Sequence, residues 1–126
     1  MQSEFISALS GAGVDVKSAL SRMLNKEEMY KKFLRKFRED TNIYQLKDIV
    51  ENNDKFSSED CEKIFHYAHT IKGVAGNLGL TGIYNESSYI SEATRNGSAE
   101  ASDVKTHFAA LFDEYNNLNV VLDGVL

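Results

Sequence analysis

The segment HYAHTIKGVAGNLGL, from His66 to Leu80, brings together two histidines, a lysine and three glycines. An imidazole with an unperturbed pKa of about 6.5 is mostly neutral near pH 7, and its free nitrogen is then a nucleophile. A neutral nucleophile with a cation beside it suits attack on phosphorus. The product gains negative charge that the cation screens, and such chemistry is mostly positioning and charge stabilisation. The glycines pose the opposite question. Each costs a helix interior about 1 kcal/mol relative to alanine, yet Gly73, Gly76 and Gly79 fall in successive turns of a segment whose periodicity is helical.

On a wheel of 100° per residue, Cys61, Ile64, Ala68, Ile71, Ala75 and Leu78 form one apolar stripe that faces a core. His69 falls about 100° or more from its midline, where a ring can be braced by packing and still reach water. Residues three and four positions away are its neighbours on the helix surface. The face around it therefore reads Phe65, His69, Lys72, Gly73, Gly76. Lys72 sets a positive charge about one turn from the imidazole. Gly73 and Gly76 lower the wall on its C-terminal side and give a macromolecule room to approach. Phe65 is a candidate apolar anchor for that partner, or else packs at the core margin. Gly79 is placed to end the helix. A competing reading takes Glu62, His66 and His69, spaced i, i+4 and i+7, as zinc ligands on one helix face. That reading supplies no fourth ligand and leaves the glycines unexplained. His107 lies on another predicted helix and joins only if the fold brings it near.

The rest of the chain must hold this helix in place. The 126 residues contain no proline, and their apolar periods are helical almost throughout. Phe5, Ile6 and Leu9 share a face of a short first helix ended by SGAG. Asp15 is a candidate N-cap for a second that carries Val16, Leu20, Met23 and Leu24. Met29, Tyr30, Phe33, Leu34 and Phe37 mark a third. After the interruption EDTN, Tyr44, Leu46, Ile49 and Val50 resume the pattern as a new helix or a continuation. Ser57 and Asp60 resemble a capping box that opens the histidine helix, from about Ser58 to Leu80. Thr81 is a candidate N-cap for the next, which runs through Ile83, Ile90 and Ala93 and stops at Gly97. Val104, Phe108, Leu111, Phe112, Tyr115, Leu118, Leu122 and Val125 trace the last. Long amphipathic helices on short loops imply an all-α, antiparallel four-helix bundle, with one or two short extra helices at its N-terminus.

No internal domain boundary is visible, so residues 1–126 are expected to form a single domain. With 14 basic against 19 acidic residues the net charge is −5, which disfavours nucleic acid as a partner. The basic run KKFLRKFR (Lys31 to Arg38) reads as the wet side of a core helix. Cys61 is the single cysteine, so no intrachain disulfide forms, and its stripe position makes it a core residue. There is no signal peptide and no apolar run near the roughly 20 residues that span a bilayer; the expectation is a cytoplasmic chain with no membrane partner. One bundle can bury its own core, so a monomer is expected.

AHTIKGVAGNLG, Ala68 to Gly79, resembles the signature of histidine-containing phosphotransfer domains. GVDVKSALSRMLNKEEMYKKFLRKFRED (Gly13 to Asp40) is similar to that family's N-terminal region, and ISEATRNG (Ile90 to Gly97) to its next helix and turn. Residues 1–12 fall outside the resemblance, as an N-terminal extension. The resemblance implies a four-helix bundle that relays phosphoryl groups between receiver domains. It implies that His69 is phosphorylated, that Lys72 lies beside the phosphoryl group, and that Gly73 gives the receiver room. The implied partners are response-regulator receiver domains and a hybrid histidine kinase. No cofactor is expected on this chain, with Mg²⁺ expected on the receiver. Val74 stands where a small polar residue is common in the family, and Ser91 where Glu is frequent. Two further alternatives compete. A pseudo-carrier would dock receivers without transfer. A sensor-kinase helix pair would need a nucleotide-binding domain, with its Asn- and Gly-rich boxes, that this sequence does not contain; no ATP site is expected.

Overall fold

The computed structural model describes residues 3–126. Among them are seven helices and no strand: α1 (Glu4–Gly11), α2 (Val16–Arg22), α3 (Glu27–Glu39), α4 (Asn42–Asn52), α5 (Ser58–Leu78), α6 (Thr81–Thr94) and α7 (Ala101–Asp123). The last four close a ring in which α4 and α6 each pack on both α5 and α7. Cross-helix pairs fix the directions as antiparallel. Gln45 on α4 meets Tyr67 on α5, Gly76 on α5 meets Tyr84 on α6, and Glu86 on α6 meets His107 on α7.

The apolar stripes of α5 and α7 fill the centre. Cys61, Ile64, Ala68, Ile71, Ala75 and Leu78 are buried, as are Val104, Phe108, Leu111, Tyr115, Leu118 and Leu122. Ser87, Ser91 and Thr94 on α6 are buried too. Their hydroxyls are satisfied by donating back to carbonyls three or four residues earlier. No described helix is long and apolar enough to cross a membrane. Of the N-terminal extension 1–12, residues 1 and 2 lie outside the described residues. The remainder forms α1, capped by Ser3, whose Phe5 and Leu9 are buried in the same core.

The three short helices cover the end of the bundle where α5 stops. The last C=O groups of a helix have no partner within it; here Ala75 O is met by Leu80 N at 2.9 Å as the chain turns, and those of residues 76–79 by donors from α2, α3 or the turn before them. The Arg22 guanidinium donates to Gly76 O (2.7 Å) and Asn77 O (3.2 Å). The buried Tyr30 hydroxyl donates to Leu78 O at 2.7 Å. Asp15 N donates to Gly79 O at 2.8 Å. At its other end α5 is closed by a full capping box, with Ser57 Oγ accepting from Asp60 N and Asp60 Oδ2 from Ser57 N, both at 3.0 Å.

Several residues depart from the sequence expectation. Leu24 lies past the end of α2 in the left-handed region (φ 56°), followed by Asn25 (φ 59°), and is 78% exposed rather than packed. Met29 and Phe33 are 39% and 38% exposed because α3 is covered along one narrow face only, that of Tyr30, Leu34 and Phe37. Tyr44 likewise sits at the surface, edge-on to Phe112 and Tyr115. EDTN is a true break, with α4 a new helix. The residue before α6 is Leu80, not Thr81. Gly79 turns the chain so sharply that Tyr84 N already bonds Leu80 O, and the Thr81 side chain makes no cap bond.

Burial holds the Tyr30 phenol well above its ordinary pKa near 10. The folded state therefore binds this proton more tightly than the unfolded chain does. The contribution is intact below about pH 10 and is lost as the pH rises beyond it. Replacing Tyr30 by Phe leaves the Leu78 carbonyl without its donor and is expected to lower unfolding stability by about 1–3 kcal/mol. The same substitution should flatten the loss of stability above pH 10 in urea titrations of both proteins.

Candidate functional site

His69 sits in the middle of α5, nearly three turns from the Gly79 end, away from the buried stripe, and is exposed. Its ring is backed by the half-buried ring of Phe65, with centroids 5.4 Å apart and planes 14° from parallel. Stacking one turn earlier limits the tilt of the imidazole. No side chain among the described residues hydrogen-bonds to it. His69 is a braced ring with free nitrogens.

The three glycines of α5 separate by cause. Gly79 has φ 71°, the left-handed conformation that ends the helix, and a Cβ there would collide with the Asp15 carbonyl oxygen. It is required by the fold. The spacing predicts an opening at Gly76 beside His69; in the structure that space is filled. A Cβ there would lie 3.3 Å from Cδ2 and 3.4 Å from Cε2 of Tyr84, whose ring crosses from α6 onto the flank of α5. Gly73 alone has open space around the missing side chain, with nothing within 4 Å. No group among the described residues requires glycine at position 73.

Lys72 is half-buried, and its ammonium stands 5.8 Å from the centroid of the Tyr84 ring. No carboxylate pairs with it among the described residues. The positive charge next to His69 is thus steadied by an aromatic face and not neutralised. Phe65 stacks on His69, and Lys72 and Gly73 follow it by three and four residues on the same helix.

Beyond this face, toward the end of α5, lies a groove between α3 and α5. Met23, Phe33 and Val74 form its apolar walls, with Arg22, Lys36 and Asp40 at its margin. Met23 and Phe33 were expected in the core, so the groove was hidden from a reading that put every apolar period inside. Tyr84 was missed as well. A signal for it existed, because positions equidistant from a tight helix–helix turn face each other, and Gly76 and Tyr84 are equidistant from Leu80.

Glu62, His66 and His69 do not assemble a metal site. Among the described residues no three His, Cys, Asp or Glu side chains gather closely enough to hold an ion. His66 is exposed and edge-on to Tyr67. His107 is engaged elsewhere, its Nδ1 2.6 Å from Glu86 Oε2 and its ring stacked on Tyr89.

Compared with known proteins, residues 28–118, well over half of the chain, match a family model described as Hpt domain. No match was found among curated proteins or among solved structures.

The glycine assignments predict opposite responses. Gly73→Ala relieves the helix of a glycine without a clash and should stabilise the protein by up to about 1 kcal/mol. Gly79→Ala must move the Asp15 backbone and strain φ, and should destabilise it by more than about 1 kcal/mol. Thermal and denaturant unfolding of the two variants decides it.

Proposed function

The chain belongs to the Hpt domain family, and we propose that within it His69 is the residue that carries the phosphoryl group. Histidine phosphotransfer in phosphorelays is that family's general activity. In the proposed cycle a receiver domain bearing an aspartyl phosphate docks over the exposed face of α5. The unprotonated ring nitrogen of His69 attacks phosphorus in line. The N–P bond forms as the P–O bond to the aspartyl carboxylate breaks, and the electron pair leaves with the carboxylate. The other ring nitrogen keeps its proton. Transfer to the aspartate of a second receiver is the same step reversed, and a hybrid histidine kinase stands upstream. Mg²⁺ and the acidic groups that bind it belong to the receiver, and this chain acts as a monomeric carrier without a cofactor of its own.

The observation that carries the reading is the conjunction at His69: a braced, exposed imidazole, a lysine three residues further along the helix whose ammonium no described carboxylate neutralises, and a glycine that no described residue requires. An ammonium there lowers the energy of charge gathering on the phosphoryl oxygens. The α3–α5 groove adds an apolar surface whose margin carries Arg22 and Lys36 against one carboxylate, Asp40.

Incubation with a phosphorylated receiver should place acid-labile phosphate on His69. His69→Gln should abolish the label with unfolding unchanged, while His66→Gln and His107→Gln keep it. Label surviving in His69→Gln overturns the assignment, and a receiver that binds without transferring marks a pseudo-carrier. Gly73→Leu, which walls off the approach, should slow transfer by about tenfold to a hundredfold in rapid-quench measurements while barely lowering stability.

A further inference from the structure

We propose that Tyr84 is a positioning residue for the transfer, holding the Lys72 ammonium beside His69; this rests on the assignment of His69 as the phosphoryl carrier. Three observations converge on it. The Tyr84 ring lies where a side chain at position 76 would otherwise stand, so Gly76 leaves the space the ring occupies. Lys72 lies one turn before Gly76 on α5, and its ammonium is 5.8 Å from the ring centroid. The backbone of Tyr84 is fixed where the chain reverses, its N–H bonded to Leu80 O at 2.8 Å in the first turn of α6. The ring is thus held from two sides, by the start of its own helix and by the bare flank of the next.

An aromatic face does something here that a carboxylate cannot. Asp or Glu at position 84 would fix the ammonium by cancelling its charge. The ring quadrupole attracts the cation and leaves the charge whole, so it remains available to oxygens arriving on phosphorus. Without the ring, a lysine stem with four rotatable bonds spreads its ammonium over a wide arc. It also explains why a large aromatic residue stays at the surface on α6, 38% exposed, in a position that core packing does not demand.

A cation–π contact at an exposed site is worth about 0.5–1 kcal/mol, which corresponds to a rate change of about two- to fivefold. The test compares Tyr84→Leu, which keeps apolar bulk and loses the π face, with Tyr84→Phe, which keeps both. Tyr84→Leu should slow phosphoryl transfer into His69 by about two- to fivefold, and Tyr84→Phe should restore the wild-type rate. In a Lys72→Ala background Tyr84→Leu should have no further effect. Proton NMR of the full chain gives a second readout. The Lys72 ε-methylene resonances, shifted upfield by the ring, should return toward random-coil values in Tyr84→Leu and stay in Tyr84→Phe. Normal labelling with rates unmoved by Tyr84→Leu, or ε-methylene shifts indifferent to it, overturns the role of Tyr84 alone. A wild-type protein that takes no label on His69 overturns the carrier reading and this role with it, whatever the NMR shows.

Discussion

The carbonyl groups at the end of α5 must find donors, and how they find them organises the rest of the molecule. Arg22, Tyr30 and the Asp15 amide each bond one or two of them. That requirement binds α2, α3 and the turn before them to the end of the four-helix ring. A buried backbone group left without a partner is expensive, and the Leu78 carbonyl, bonded by Tyr30 in the interior, is such a group, while the Arg22 bonds lie at the exposed rim. The opposite end of the helix is closed by the reciprocal bonds of Ser57 and Asp60. Between the two closures α5 presents an uninterrupted face on which His69 can be displayed without any loop to steady it.

The face itself shows a division of labour among residues that look alike in the sequence. Gly79 serves the turn, Gly76 serves the neighbouring helix, and Gly73 serves neither. Lys72 is steadied by a ring, His69 by another ring, and neither by a countercharge. A site held this way costs little desolvation, because no ion pair has to be buried. It keeps its charge and its nucleophile in contact with water until a partner displaces that water. The surrounding chain is acidic overall, so the cations of α3 and the site mark a local reversal of sign.

Much of this was legible from residue order, and what was not has a common cause. The stripes of α5 and α7 lie between neighbours on both sides, so periodicity alone identified their buried residues. The capping box was readable because its two hydrogen bonds are local. So was Asp15, whose carboxylate accepts from Ser18 N. The errors came where burial depends on how many helices cover a face. The wheel of α3 showed which side was apolar but not that its cover is narrow, and Met29 and Phe33 went to the surface instead. Leu24 was lost to a left-handed turn that a leucine does not advertise. At the site, His69, Lys72 and Gly73 could be placed relative to one another because they share one helix. Gly76 was misread because its occupant comes from the next helix, and one helix wheel contains no information about another.

Closure at both termini of α5 has a geometric corollary. A helix advances 100° with each residue, so one residue inserted or deleted between Ser57 and Gly79 would rotate everything on one side of the change against everything on the other. If the Gly79 end stayed docked, a deletion on its near side would swing the imidazole about 100° around the axis, toward the flank or the interior. The spacing between the clamps is therefore as constrained as the identity of any side chain along it. Loops at 53–57 and 95–100 can vary in length without turning the ring, whereas the span of α5 cannot.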